Sequence, residues 1–150
     1  MRAPFQILAI PYRKREEYQF CVFHRADIDQ YQFVAGGGED KEKPIEAAAR
    51  EILEETSVTA EHILPLTSMA YIPANVISKK HRALWSSDTI VIPEYTFGFE
   101  CDSEMALSGE HTGFEWMTYD EAMSRLTFDS NKTALYELNY RLLKFQEEKL

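Results

Sequence analysis

The chain has 150 residues, 45% of them hydrophobic and 13% aromatic, with a formal net charge of −9. That length suits one domain with a real core, and the apolar content excludes a disordered chain. The acidic balance argues against a nucleic-acid polymer as partner, because such proteins carry basic faces.

Residues 5–12 (FQILAIPY) form a nearly continuous apolar run, which predicts a buried strand. A charged turn follows at 13–17, then the aromatic and β-branched stretch 18–24 (YQFCVFH), predicted to pair with the first strand as a hairpin. Arg25 closes that strand as a surface charge or a phosphate contact. Residues 31–35 (YQFVA) predict a short strand leading into a glycine loop at Gly36, Gly37 and Gly38. A helix is expected over 44–56, with Pro44 tolerated in its first turn and Glu46 favouring the helix dipole, although Lys43 is a weak cap.

Residues 63–72 predict another strand, with Pro65 at an edge or bend. Residues 73–88 hold Lys79, Lys80, His81, Arg82 and Trp85, and read as a solvated loop rather than a substrate-facing lid. Residues 89–92 and 95–101 predict strand interrupted by Pro93, and 114–117 a last short strand. Helices are expected over 119–126 and over 131–149, where Leu135, Leu138 and Leu142 recur at helical spacing. Two cysteines suggest a reducing compartment. With no signal-like N-terminus and no run of membrane-spanning length, the expectation is a cytoplasmic protein.

The chemistry concentrates in the 44–56 helix. At about 100° per residue, Glu51, Glu54 and Glu55 share one face, and Ile45, Ala48, Ala49, Ile52 and Leu53 are expected to pack on the other. Crowded carboxylates oppose one another's ionisation. A hard divalent cation, Mg²⁺ or Mn²⁺, would relieve that repulsion and could carry a phosphate. Arg50 lies one turn before Glu54, where an ion pair could orient that carboxylate. The glycines ahead of the helix allow backbone to approach a ligand closely. On chemistry alone, a metal–phosphate site and a solvated acidic face both stay open.

The spacing of Gly36, Glu42, Arg50, Glu51, Ile52, Glu54, Glu55 and Val58 resembles the signature of the Nudix hydrolases in full register. Ser57 is the one departure, standing where the family has a helix-ending glycine, at a cost of about 1 kcal/mol in stability. The resemblance implies an α/β/α sandwich around a mixed β-sheet, over a single domain covering 1–150. It further implies hydrolysis of a phosphoanhydride bond in a small phosphorylated substrate. By that resemblance Glu51, Glu54, Glu55 and the Gly36 carbonyl hold Mg²⁺ or Mn²⁺, with Glu54 at the centre of catalysis and Arg50 and Glu42 orienting the carboxylates.

The segment GEHTGFEW resembles one in Nudix members acting on triphosphates and dinucleoside polyphosphates, which makes Glu110 the candidate general base. His111 and Glu115 read as solvated or structural. The wider layout, including YTFGFECD and FDSNKTALYEL, is similar to that of bacterial dihydroneopterin triphosphate pyrophosphohydrolases. That similarity implies pyrophosphate release from a pterin or purine triphosphate, dATP included. A ring of that kind would stack on Tyr31, Phe33, Tyr71 or Trp85, with Arg25, Asn131 or Lys132 on phosphate. Competing expectations are a dinucleoside polyphosphate hydrolase, a non-catalytic ADP-ribose-binding module, and an interaction protein with an acidic helix. A homodimer is compatible with the sequence, and a membrane partner is not expected.

Overall fold

A computed structural model of the chain describes residues 1–107 and 113–148. Its strands are β1 (Arg2–Lys14), β2 (Tyr18–Arg25), β3 (Gln30–Gln32), β4 (Val34–Glu39), β5 (Ile63–Pro73), β6 (Val91–Glu100) and β7 (Gly113–Met117). The helices are α1 (Pro44–Thr56), α2 (Lys79–Arg82), α3 (Tyr119–Arg125) and α4 (Asp129–Glu148).

All seven strands belong to one mixed sheet with the path β3-β2-β1-β6-β5. β1 is the organising strand. Its C-terminal end pairs antiparallel with β2, as the predicted hairpin, while residues further back pair with β4. Its other edge runs parallel to β6 from Gln6 opposite Glu94 to Tyr12 opposite Glu100. Alternation along these strands then sorts side chains to two faces. Ile7, Ala9, Phe97 and Phe99 pack against Ala47, Ala48 and Ile52 of α1. Leu8, Ile10, Phe20 and Val22 pack with Leu135, Leu138 and Leu142 of α4 and Ala122 of α3. Each large aliphatic or aromatic side chain buried this way contributes about 1.5–3 kcal/mol. Helices therefore cover both faces, as the α/β/α expectation requires.

Three expectations need correction. The glycine stretch is strand rather than loop: residues 34–39 pair with β1, and none of Gly36, Gly37 and Gly38 has positive φ. Pro93 does not interrupt a strand. It lies one residue before the β1 register begins and pairs only across to Tyr71, so its missing N–H costs no central ladder bond. The segment 73–88 is more ordered than a solvated loop, with a 3₁₀ turn at Ala74–Val76, α2, and the Trp85 indole donating to the Arg2 carbonyl at 2.8 Å.

Candidate active site

Helix α1 spans the expected residues, but its inward face differs from the expectation. Ala47, Ala48, Glu51, Ile52, Glu55 and Thr56 are buried, while Ile45 and Leu53 are 40% and 50% exposed. The rows 47/51/55 and 48/52/56 form one continuous stripe, and the two alanines let the helix lie close to the sheet. Two of the three glutamates are thereby turned into the protein, against β4.

The helix ends are built locally. The Glu46 carboxylate accepts from the Lys43 amide at 2.8 Å, which compensates for a lysine at the cap. At the other end Ser57 is left-handed (φ 62°, ψ 16°), the conformation the family's glycine would take without strain. Its amide donates to the Leu53 carbonyl and its hydroxyl to the Ala106 carbonyl.

Close approach is what the glycines supply. A Cβ built at Gly36 would fall on the Glu51 carboxyl group, and one at Gly37 on the Arg2 guanidinium. Any side chain at these two positions would displace a charged group from the site.

Arg50 is the hub. Its guanidinium grips Glu42 in a fork, Nε to Oε2 at 2.8 Å and Nη2 to Oε1 at 3.0 Å. It also donates to Glu51 at 2.9 Å, to Glu54 at 3.2 Å and to the Gly37 carbonyl at 2.7 Å. The i,i+4 pair with Glu54 is the one the spacing predicts. These contacts raise the guanidinium's affinity for its proton, led by the bond to Glu42, and the same bond holds Glu42 below the usual carboxylate range.

Glu51 behaves in the opposite way. Burial pushes its pKa up to about 7, and the charges of Glu54 and Glu55 push the same way against the pull of Arg50. One arginine does not neutralise this cluster, and its donors are hard oxygens suited to Mg²⁺. Among the described residues no three acidic, histidine or cysteine side chains already converge as a metal cage. Arg50 occupies one oxygen of Glu51 and one of Glu54, so the remaining oxygens are the ones a cation would take.

Two cavities adjoin, the first of them beside this helix. One, of about 600 Å³, is lined by Gly36, Glu51, Arg2, Gln6, Ser78 and His81 among others. The second, of about 540 Å³, holds Arg25, Gln30, Gln32, Glu94 and Asn131. Gln6, Ala35 and Val76 line both, so the two adjoin as neighbouring parts of one cleft.

Several predicted residues fall in this cleft and others do not. Arg25, Asn131, Gly36 and Glu51 line it. Phe33 is fully buried in the core beneath α4 and has no exposed face to stack on a ring. The Tyr31 ring stacks on His24 at 4.4 Å, has the Arg125 guanidinium 5.2 Å from its centroid, and lines neither cavity. Lys132 sits in the first turn of α4, its amide donating to the Phe128 carbonyl, and also lines neither. Tyr71 is 61% exposed on β5, and Trp85 anchors the α2 segment to Arg2. Glu110 and His111 lie outside the described residues.

The sequence reading missed Arg2, Gln6 and Glu94, and it set His81, which lines the cavity with Glu51, in a solvated loop. Arg2 and Gln6 precede or open the first apolar run, and Glu94 follows Pro93, so none belongs to a recognisable pattern. Pairing across the sheet brings them together: Gln6 lies opposite both Gly37 and Glu94.

The NUDIX domain family matches residues 5–138. A structure described as a NUDIX hydrolase from Listeria monocytogenes superimposes with a TM-score of 0.83 at 44% identity, over 95% of this chain and 96% of that one. The E. coli dihydroneopterin triphosphate pyrophosphohydrolase gives a TM-score of 0.72 at 20% identity, over 92% and 97% of the two chains. A C. elegans Ap4A hydrolase, in a binary complex, gives 0.69 at 15% identity, over 95% and 99%. The last two likenesses show the fold alone. No curated protein matches the sequence. Nudix hydrolases as a family use divalent metal ions such as Mg²⁺ and act on small phosphorylated substrates. With the family match running almost the whole length of the fold, this chain belongs to the Nudix family and is a pyrophosphohydrolase.

Proposed function

We propose that this enzyme hydrolyses a phosphoanhydride bond of a nucleoside or pterin triphosphate, dihydroneopterin triphosphate or dATP being the type, and releases pyrophosphate. The observation that carries this reading is the adjacency of the two cavities, which share Gln6, Ala35 and Val76. The acidic end of the cleft at Glu51 suits a metal-bridged polyphosphate. Its other end is a mainly apolar cavity, walled by Leu8, Ile72, Pro73 and Phe128, with Arg25 and Glu94 as polar groups for the rest of the substrate. The sequence parallels with dihydroneopterin triphosphate pyrophosphohydrolases, and the fold shared with the E. coli enzyme of that name, support the same substrate class.

Glu51, Glu54 and Glu55, with the Gly36 carbonyl, would hold Mg²⁺, with Mn²⁺ as a substitute. The bound cation would supply charge neutralisation and an acidified water. The protein's own contribution is positioning. Arg50, fixed by Glu42, sets the orientation of the Glu51 and Glu54 carboxylates. Arg2 faces the same cavity and is attracted by Glu51, so its guanidinium is placed to meet phosphate oxygens as they enter. Glu110 remains the proposed general base, whereas Arg25 and Asn131, expected on phosphate, line the cavity away from Glu51 and would instead contact the rest of the substrate. Holding these groups in place before the substrate arrives is how such a site lowers a barrier dominated by charge.

The test is a product panel. Purified protein is offered dihydroneopterin triphosphate, dATP, a diadenosine polyphosphate and ADP-ribose, with Mg²⁺ and with EDTA, and pyrophosphate is separated from single phosphate. Mg²⁺-dependent pyrophosphate release from a triphosphate is expected. Preference for the dinucleotide would move the substrate class, and ADP-ribose binding without any turnover would overturn the hydrolase reading.

A further inference from the structure

The cavity that holds Glu51 and Gly36 is also lined from the connector between β5 and β6, by Val76, Ile77, Ser78 and His81. That connector is fastened in several places. The Ala74 amide donates to the Ile90 carbonyl at 2.9 Å, Arg82 Nε to the Ile77 carbonyl at 2.9 Å, and the Trp85 indole to the Arg2 carbonyl at 2.8 Å. His81 is thus carried to the cavity on backbone tied across to β1.

The charge balance of the cavity calls for such a group. A pyrophosphate carries more negative charge than one divalent cation offsets, and Glu39 and Glu51 line the same space. Among the described residues lining it, those with a side chain able to carry positive charge are Arg2 and His81. Lys79 and Lys80, next to His81 in the chain, are exposed and line neither part of the cleft. The His81 ring is also oriented: Nδ1 lies 2.9 Å from the Ser78 hydroxyl oxygen. That hydroxyl can donate to Nδ1 of a neutral ring or accept from Nδ1–H of a charged one, and in both states Nε2 carries the hydrogen.

We propose that His81, oriented by Ser78, is a phosphate-binding residue of this site, donating from Nε2 to oxygens of the pyrophosphate group while Arg2 meets the same group from β1. Hydrogen bonds to phosphate oxygens are charge-assisted, which makes a single well-placed donor count. The basic run 79–82 then supplies one directed contact rather than a diffuse patch. The proposal rests on the hydrolase reading above in taking the cavity's ligand to be a polyphosphate.

The experiment is a binding measurement with the product group itself. Inorganic pyrophosphate is titrated calorimetrically into the protein with Mg²⁺ saturating. His81→Ala should weaken binding about tenfold or more, as for loss of a hydrogen bond to a charged group, with melting temperature unchanged because His81 is exposed. His81→Gln, which places an amide N–H near the position of Nε2, should recover most of that loss. Ser78→Ala should weaken binding less, and should have no effect once His81 is alanine. Lys79→Ala and Lys80→Ala should bind as the native protein does at physiological salt, where exposed charges out of contact are screened. Native affinity in His81→Ala, or equal losses in the lysine variants, would overturn the proposal, as would native protein that binds no pyrophosphate. Turnover is not needed, so the two readings separate. A protein that binds pyrophosphate through His81 yet hydrolyses no triphosphate would fail the substrate reading and leave this contact standing.

Discussion

Two glutamates on two helices show what separates a site from a scaffold in this fold. Glu137 on α4 accepts from the Thr67 amide (2.7 Å), the Ser68 amide (2.7 Å), the Ser68 hydroxyl (2.6 Å) and Arg141 Nε (2.7 Å). Burial alone would raise its pKa, but these donors hold it at about 2. Glu51 on α1 is more deeply buried than the half-buried Glu137, yet its partner Arg50 is shared among several acceptors and its neighbours are Glu54 and Glu55. Its pKa stands at about 7. A carboxylate given a full set of donors fastens α4 to β5. One left in deficit is poised for a ligand.

The largest effect that can break this comparison is on catalysis. Glu54→Gln should lower turnover by orders of magnitude while circular dichroism and melting temperature stay near the native values, because Glu54 is exposed and contributes little packing. Turnover near the native rate with saturating Mg²⁺ would remove Glu54 from the ligand set. Glu137→Gln should do the reverse. It strands two amides, a hydroxyl and Arg141 beside a group that can no longer accept from all of them, costing about 2–4 kcal/mol with unchanged kcat. A fall in kcat without a loss in urea midpoint would show that the clamp is part of the site.

The pH dependences sharpen the contrast, since their signs oppose. Glu137 binds its proton more weakly in the folded state, so its stabilisation is present above the ordinary glutamate range and lost as pH falls from about 4.5 toward 2. Glu51 binds its proton more tightly when folded. The metal-free protein should therefore lose stability as pH rises from about 4.5 to 7, with no further loss from this group above that. Urea midpoints in EDTA across pH 3–8, for native protein, Glu51→Gln and Glu137→Gln, check both. Glu51→Gln should flatten the upper slope and Glu137→Gln the lower one.

The smallest effect concerns the helix end. Ser57→Gly relieves a left-handed residue, a gain of up to about 1 kcal/mol, but it removes the hydroxyl bond to the Ala106 carbonyl. A shift of a few degrees at most in melting temperature, with kcat unchanged, is expected. A large change in kcat would mean that this turn positions the carboxylates.

The same contrast explains what could be read from the sequence. Helix α1 was legible to its last residue, because Pro44 and the fixed spacing through Val58 encode it locally. The left-handed end was legible for the same reason. The inward turn of Glu51 and Glu55 was not: the acids and the leucine and isoleucines invite the opposite packing, and only the fit of Ala47 and Ala48 against the sheet decides it. Aromatic residues near the glycines suggested a stacking platform, but Phe33 is consumed by the core and Tyr31 by His24. Glu94 and Gln6 are 88 positions apart and become partners only through the parallel pairing of β1 with β6. Pairings of that range leave no periodic trace.

The most direct test of the central claim is a Mg²⁺ titration that follows melting temperature and pyrophosphate release in the same samples. A cation that binds the folded carboxylates must stabilise the protein as it activates it. The account predicts that both signals rise over one concentration range in the native protein, and that Glu51→Gln loses both. Pyrophosphate release that persists in EDTA, or activation by Mg²⁺ with no stabilisation at any concentration, would contradict it.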